Sequence, residues 1–322
     1  MIKICNNEIN PRSIIAGPDF VSGWREDLKT EDYHADKSAI NSSSLKHATK
    51  SEYSFAHNFW GNPKEPTEFM KFGTLYHMAQ LEPMKFKEKY IVEPIFEGLT
   101  ADGKMSTRSA SAKKKRAEWL AEIPKDAVVV TEDERDRILS MIDSVASHPT
   151  ASQLLKDGKP EMIGYWKKSV KYNDEDMTEE PLEIALRMMG DFLRFDLGIL
   201  ADLKTCQDSS WESFRRTHVE GLGAFLQMAQ YKDGVQSITG APVENCAWIA
   251  VESKFPFETA VHEVDYEYDV IGKFQYEQNL KKIKRAIESN CFPQAQLYSV
   301  KGEVSPWFRK KYQLKGVILN GE

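Results

Sequence analysis

Three residues carry the chemistry most directly readable from this chain. Asp202 and Lys204 stand in Asp202-Leu203-Lys204, at the end of the apolar run Gly198-Ile199-Leu200-Ala201, and Asp191 precedes them in Gly190-Asp191-Phe192-Leu193. Successive side chains of a strand face opposite ways, so Asp202 and Lys204 share one face while Ala201, Leu203 and Thr205 take the other. Read as the two arms of a hairpin, the segments let Asp191 supply a second carboxylate from across the turn. Two carboxylates are hard oxygen ligands for Mg²⁺, and an ammonium two residues on can orient an attacking water or offset charge that builds on phosphorus. The chemistry that asks for this set is metal-dependent hydrolysis of a phosphodiester.

Asp-x-Lys alone is a weak signal, and the chain holds four copies. Asp27-Leu28-Lys29 follows the polar run Gly23-Trp24-Arg25-Glu26 and has no apolar strand before it. Asp102-Gly103-Lys104 and Asp157-Gly158-Lys159 read as tight reversals, because Asp-Gly favours turns. Glu252-Ser253-Lys254, the glutamate version, follows the strand-like Ala247-Trp248-Ile249-Ala250-Val251 but has no carboxylate at hairpin distance upstream. Only Asp202 combines a buried type of strand with a partner.

Further groups extend the pattern. Gly73-Thr74-Leu75-Tyr76-His77 lies on a helix expected to end at Pro83. Glu161 opens the strand-like run Met162-Ile163-Gly164-Tyr165-Trp166, and Gln227 and Tyr231 stand four apart, on one face of a second helix. In this order, Gly-x-x-x-His, Glu, Asp, Asp-x-Lys, Gln-x-x-x-Tyr, the chain resembles the RecB/RecE branch of the PD-(D/E)-x-K nucleases, and within it the exonuclease VIII (RecE) C-terminal nuclease domain. The likeness runs from about Tyr33 to Gln294 and includes the segment from Asp32 to Lys46, which is similar to that family's entry to its first helix.

The resemblance implies an α/β (α+β) restriction-endonuclease-like core, a central mixed sheet flanked by helices, with a helical N-terminal part. It implies His77, Asp191 and Asp202 as metal ligands with the Leu203 carbonyl as an extra one, Glu161 as an acidic helper and Lys204 as the catalytic lysine. Gln227 and Tyr231 would shape the site and contact DNA. It further implies a Mg²⁺-dependent exonuclease, with Mn²⁺ as a substitute ion, acting 5′-to-3′ on ends of linear double-stranded DNA. The 3′ strand would be left for a RecT-like annealing partner, and the enzyme would form a ring-like homo-oligomer. Gly190 stands where many members carry proline. Two alternatives stay open: another RecB-type repair or CRISPR-adaptation-like nuclease, and a catalytically silent DNA-binding or assembly module.

Composition is compatible with these expectations. With 322 residues, 41% hydrophobic and 29% charged, the chain can bury a sizeable core. A net charge of −6 argues against a broad basic surface and leaves room for lysines concentrated in a cleft. Positive runs stand at Lys113-Lys114-Lys115-Arg116, at Lys281-Lys282-Ile283-Lys284-Arg285 and at Arg309-Lys310-Lys311. The nuclease context favours the first, with Lys113, Lys114 and Arg116, as a DNA contact. The acidic stretch from Asn173 to Glu180 reads as a solvated turn.

Cys5, Cys206, Cys246 and Cys291 lack any Cys-x-x-Cys spacing, so no iron–sulfur cluster or zinc knuckle is expected. No phosphate-binding Gly-x-x-x-x-Gly-Lys-Ser/Thr loop occurs, hence no nucleotide cofactor. No Gly-x-Ser-x-Gly marks a hydrolase elbow. Of seven histidines only His77 has motif support. No apolar run approaches the roughly 18 residues of a membrane span, and Met1-Ile2-Lys3-Ile4-Cys5 lacks a secretory pattern, so a cytoplasmic protein is expected.

The elements that must position these residues follow from periodicity and caps. A polar, irregular arm over 1–30 precedes a single domain over 31–322, made of a mainly helical part (31–157), a nuclease core (158–295) and a tail (296–322). A helix over 43–60 capped by Ser42 comes first, and a Ser/Lys-rich stretch over 98–111 reads as mobile until DNA binds. Thr131-Glu132-Asp133-Glu134 is a capping box for a helix with the stripe Ile138, Met141, Ile142, Val145. Strands are expected over 161–171, 182–195, 198–205, 244–251 and 259–267, with helices over 211–236 and 270–290.

Overall fold

The computed structural model describes residues 2–4, 7–62, 65–125, 127–173, 175, 176 and 178–295. A six-stranded sheet holds β1 (Gly23–Trp24), β2 (Lys159–Val170), β3 (Leu182–Arg194), β4 (Ile199–Cys206), β5 (Asn245–Glu252) and β6 (Thr259–Glu263). Their spatial order is β6-β5-β4-β3-β2-β1. All neighbours are antiparallel except β4 and β5, which run parallel and are joined through the crossover helix α5 (Ala224–Thr239).

The other helices used below are α1 (Glu52–Trp60), α2 (Glu68–Leu81), α3 (Ala110–Glu122), α4 (Glu132–Ser147) and α6 (Tyr266–Glu288). One face of the sheet, with Trp166, Leu186 and Trp248, packs with residues of α1, α5 and α6; the other, with Phe192, Leu203 and Ile249, packs with α2 and α4. Burial on both faces explains why β3 to β5 read as nearly continuous apolar runs. The expected mixed sheet flanked by helices is the observed architecture. No helix among the described residues is long and apolar enough to cross a membrane.

Several local readings hold. Thr131 and Glu134 make the reciprocal capping box of α4, which buries Ile138, Met141 and Val145. α2 ends at Leu81, and Pro83 opens the next short helix, Pro83–Lys89, where its missing N–H costs nothing.

Others need correction. The helix expected over 43–60 is three pieces, Ser42–Leu45, a 3₁₀ turn Lys46–Thr49, and α1, because Ser51 caps a new helix start through its side chain; the first piece is capped by Asn41, and Ser42, the expected cap, is its first residue. The helices expected over 211–236 are Trp211–Phe214, a π turn Arg215–Gly221, and α5, which begins after Gly223 at φ +75 and runs on to Thr239. α6 starts at Tyr266, capped by Asp265, so β6 stops earlier than expected. Within 98–111, Gly98–Leu99 pairs with Met105–Ser106, and Ser109 caps α3. The tail 296–322 with Arg309-Lys310-Lys311, and Cys5, lie outside the described residues, as do Asp174 and Met177 of the acidic turn.

The segment ahead of Thr30 is not an irregular arm. Gly23–Trp24 forms the sheet's edge strand, and Ile9 and Ile14 are buried in the main core. It also has a part in shaping the sheet. β3 pairs with β4 only at Arg194↔Ile199, Leu193↔Leu200 and Phe192↔Ala201. Farther along, β4 leaves the edge of β3, and N-terminal residues take its place: Ile15 bridges Ile184 and Ile40 bridges Leu186. The Ile40 N–H donates to the Ala185 carbonyl at 2.9 Å, and the Arg187 N–H donates to the Ile40 carbonyl at 3.0 Å. The central hairpin is therefore splayed, and the splay begins at Asp191 and Asp202.

Candidate active site

Where the β3–β4 ladder stops, the next residues across are Asp191 and Asp202. In place of a backbone rung, Asp191 Oδ2 accepts the Leu203 N–H at 2.7 Å. The carboxylate thereby satisfies a backbone donor of the diverging strand and is fixed in orientation. Asp202 is held on both oxygens: Oδ1 accepts from Gln227 Nε2 at 3.0 Å, and Oδ2 lies 2.5 Å from Lys204 Nζ.

His77 reaches the site from α2. Gly73, one turn earlier, lets the helix close on β4, since a Cβ there would stand 3.2 Å from Thr205 Oγ1. His77 Nδ1 lies 3.7 Å from Asp191 Oδ2, and the ring stands beside the Leu203 backbone. Glu161 falls opposite Asp191, between the ladder pairs Pro160↔Phe192 and Met162↔Gly190, and its φ of +47 is a left-handed conformation rare for glutamate. One ligand atom each from His77, Glu161 and Asp191 lie within 4.8 Å of one another.

The electrostatics are those of charges kept from water. Burial, then repulsion by Asp191, pushes the Glu161 carboxyl up to about 8. Burial also raises Asp191, against the opposing pull of Lys204, and lifts Asp202 to about 6. Burial by itself lowers Lys204, but Asp202 and Asp191 outweigh it and keep the ammonium above its ordinary value. His77 is pushed down to about 4 by burial and by Lys204, so near neutral pH its ring is uncharged and free to act as a ligand.

The structure brings His77, Glu161, Asp191, Asp202, Lys204 and Gln227 together, with one redistribution. Asp202, expected among the ligands, is occupied by Lys204 and Gln227, whereas Glu161, expected as a helper, stands in the tight three-residue group. Tyr231 is buried, and its phenol meets Ser42 and Gln227, so it braces the site from beneath and offers no surface to DNA. Lys113, Lys114 and Arg116 lie on α3, which packs chiefly on the Gly98–Leu99 strand. Arg116 Nη2 bonds Glu93 Oε2 at 2.8 Å, and Lys114 lies 3.8 Å from Glu118. His218, which had no motif support, also stands close: its Nε2 is 3.2 Å from the Thr205 carbonyl and it feels the charges of Lys204 and Asp202. Its place depends on the π turn, for which the sequence carried no signal.

A mixed sheet whose splayed central strands present Asp, Asp-x-Lys and an upstream Glu is the arrangement of PD-(D/E)-x-K-type domains. The chain belongs to one such family, the PDDEXK-like domain of unknown function (DUF3799), which matches residues 41–296. Among solved structures, that of a putative exonuclease from Eubacterium rectale is similar, with a TM-score of 0.51 over 87% of this chain and 97% of the other, at 12% identity. At that identity the likeness speaks for the fold alone. No curated protein matches the chain in sequence. Family and fold together support a nuclease.

Proposed function

We propose that the protein is a Mg²⁺-dependent deoxyribonuclease, with Mn²⁺ able to substitute, that degrades linear double-stranded DNA from its ends. The observation that carries this reading is the convergence, at the splay of β3 from β4, of the His77–Glu161–Asp191 group with the Asp202–Lys204 pair. The donor set suits a hard divalent cation: two carboxylates and a neutral imidazole, with Glu161 held in a strained backbone and its carboxyl raised to about 8 by burial and Asp191. A cation here would let both carboxyls ionise. When bound, such an ion polarises a phosphate oxygen and acidifies water.

The chain's own residues divide the remaining work. His77, Glu161 and Asp191 would hold the ion, and the Leu203 N–H keeps Asp191 from turning away. Gln227 fixes Asp202, and Asp202 fixes Lys204, so the ammonium is preorganised rather than free to sample solvent. Lys204 Nζ would donate hydrogen bonds to the attacking water and to the developing negative charge on the scissile phosphate. Tyr231 and the hydrophobic layer beneath it keep bulk water from the rear of the site.

The finer reading rests on the resemblance to RecE: 5′-to-3′ polarity, a 3′ strand handed to a RecT-like annealing protein, a ring-like homo-oligomer around the duplex, and a cytoplasmic setting. The test incubates the protein and its Lys204→Ala variant with Mg²⁺ and linear duplex labelled separately at the 5′ and 3′ ends, beside closed circles. Loss of 5′ label from linear DNA only, absent in the variant, is the expected result. Cutting of circles would replace the exonuclease with an endonuclease, and no cutting with either metal would favour the silent DNA-binding module.

A further inference from the structure

We propose that Lys46 binds a backbone phosphate of the DNA strand beside the scissile position, and that Lys282 continues the contact outward along the same strand. The proposal rests on the nuclease reading above and names the surface by which that site would hold its substrate.

Lys46 opens the 3₁₀ turn Lys46–Thr49 and faces the loop ahead of α5. Its Nζ donates to the Leu222 carbonyl at 3.3 Å, and its Cβ stands 4.0 Å from the position a Cβ would take on Gly223. That loop leads directly into the helix that carries Gln227. From the other side, Ser42, at the head of the short helix before Lys46, meets Tyr231. The lysine is thus anchored to the frame of the site at both ends of its own segment.

Its surroundings are unusual for a half-buried cation. Burial and the nearby Lys204 ammonium both disfavour its charge, yet among the described residues no carboxylate pairs with it. Lys282 is held in a similar way: its Nζ donates to the carbonyls of Ala48 at 3.1 Å and Thr49 at 3.2 Å, within the same turn, with no carboxylate partner among the described residues. Other shielded lysines of this protein are paired, Lys232 with Asp269 at 2.7 Å and Lys284 with Glu179 at 2.9 Å. Two ammoniums directed by backbone carbonyls and left without counter-charge, the inner one within electrostatic reach of Lys204, are suited to an anion that arrives with the substrate. DNA supplies such anions at regular intervals along its strand.

The experiment compares wild type with Lys46→Met, Lys46→Arg and Lys282→Met. Methionine keeps the apolar stem and removes the charge. Binding of a fluorescent linear duplex is measured without metal over a range of salt, and steady-state cleavage is measured with Mg²⁺. Lys46→Met is expected to lower the slope of log affinity against log salt by about 1 and to raise KM about 10-fold, with kcat changed less than about 3-fold. Lys46→Arg should recover most of the loss, and Lys282→Met should give a weaker effect of the same kind.

An unchanged salt slope and KM in Lys46→Met would overturn the proposal. So would a loss that follows a fall in melting temperature and is not rescued by arginine, since Lys46 would then be a prop for the Leu222 loop. If wild type neither cleaves nor binds linear duplex, the nuclease reading itself falls and this proposal with it; if wild type cleaves and Lys46→Met behaves like it, only the phosphate contact is lost.

Discussion

Asp233 and Asp191 belong to the same core and are served very differently. Asp233, on α5, has a complete set of donors: Trp166 Nε1 and Tyr276 Oη each reach Oδ2 at 2.8 Å, and Lys168 bonds Oδ1. Asp191 has one backbone N–H and an uncharged histidine 3.7 Å away, with the Glu161 carboxyl beside it and Lys204 already engaged by Asp202. The first cluster is closed, and every polar group in it finishes the fold. The second holds more carboxyls than its partners can keep ionised, and burial and mutual repulsion push their proton affinities up. An acid satisfied by the protein serves stability; under the function proposed above, the acid left wanting serves a bound cation.

The sharpest break of that contrast exchanges an acid for its amide at each place. Asp191→Asn should cut DNA cleavage by about 10³-fold while the metal-free melting temperature holds or rises, because the amide oxygen can still accept from Leu203 and a buried charge is gone. Asp233→Asn should cost about 2–4 kcal/mol in denaturant unfolding, from a buried ion pair and its hydrogen bonds, with cleavage per folded molecule retained. If Asp233→Asn instead silences a folded protein, the division between the two clusters is wrong.

A smaller effect is expected from pH. Glu161 keeps its proton to about 8 in the folded chain, against an ordinary 4.5. Between those values the folded state binds the proton more strongly than the unfolded one, so the contribution of this group to stability is present at low pH and is lost as pH rises through the window. The metal-free protein should therefore melt lower at pH 8.5 than at pH 5.5. Glu161→Gln should flatten this fall and raise the melting temperature at pH 8.5 by about 2–4 °C. An unaltered pH profile in that variant would show that Glu161 is not the group under stress.

The smallest change concerns the close approach of α2 to β4. Gly73→Ala adds a methyl 3.2 Å from Thr205 Oγ1, and the helix must yield by a few tenths of an ångström. Alanine's better helix propensity, about 1 kcal/mol, offsets much of the crowding, so thermal stability should hardly move. Cleavage should fall about 3–10-fold, because His77 is displaced from Asp191. Wild-type rates in this variant would mean that the helix position is not what sets the histidine.

Much of this site was legible in the sequence because its chemistry sits on regular elements. An apolar strand ending in Asp202-Leu203-Lys204, and a glycine one turn before His77, follow from alternation and helical spacing. The place of Glu161 did not, since strand periodicity assigns a face but cannot foresee a residue turned to φ +47 between two ladder pairs. The break ahead of α1 was missed for a related reason. Ser51 lies in a run whose spacing still suits a helix, and only its side-chain cap on the start of α1 interrupts it. The pairing of Gly23–Trp24, Ile15 and Ile40 with distant strands is tertiary, and the segment around them carries no local strand pattern.

The substitution of Ile15 and Ile40 for β4 along the edge of β3 also bears on how the chain must be handled. A fragment beginning at the nuclease core, at residue 158, would keep Glu161, Asp191, Asp202 and Lys204, the greater part of the site's chemistry. It would leave the backbone groups of β3 near Glu183, Ala185 and Arg187 with no partner strand, a bare central edge open to other copies of itself. Domain trimming guided by catalytic residues alone would thus open a strand edge prone to pair with other copies, an edge that Ile15 and Ile40 cover in the longer chain.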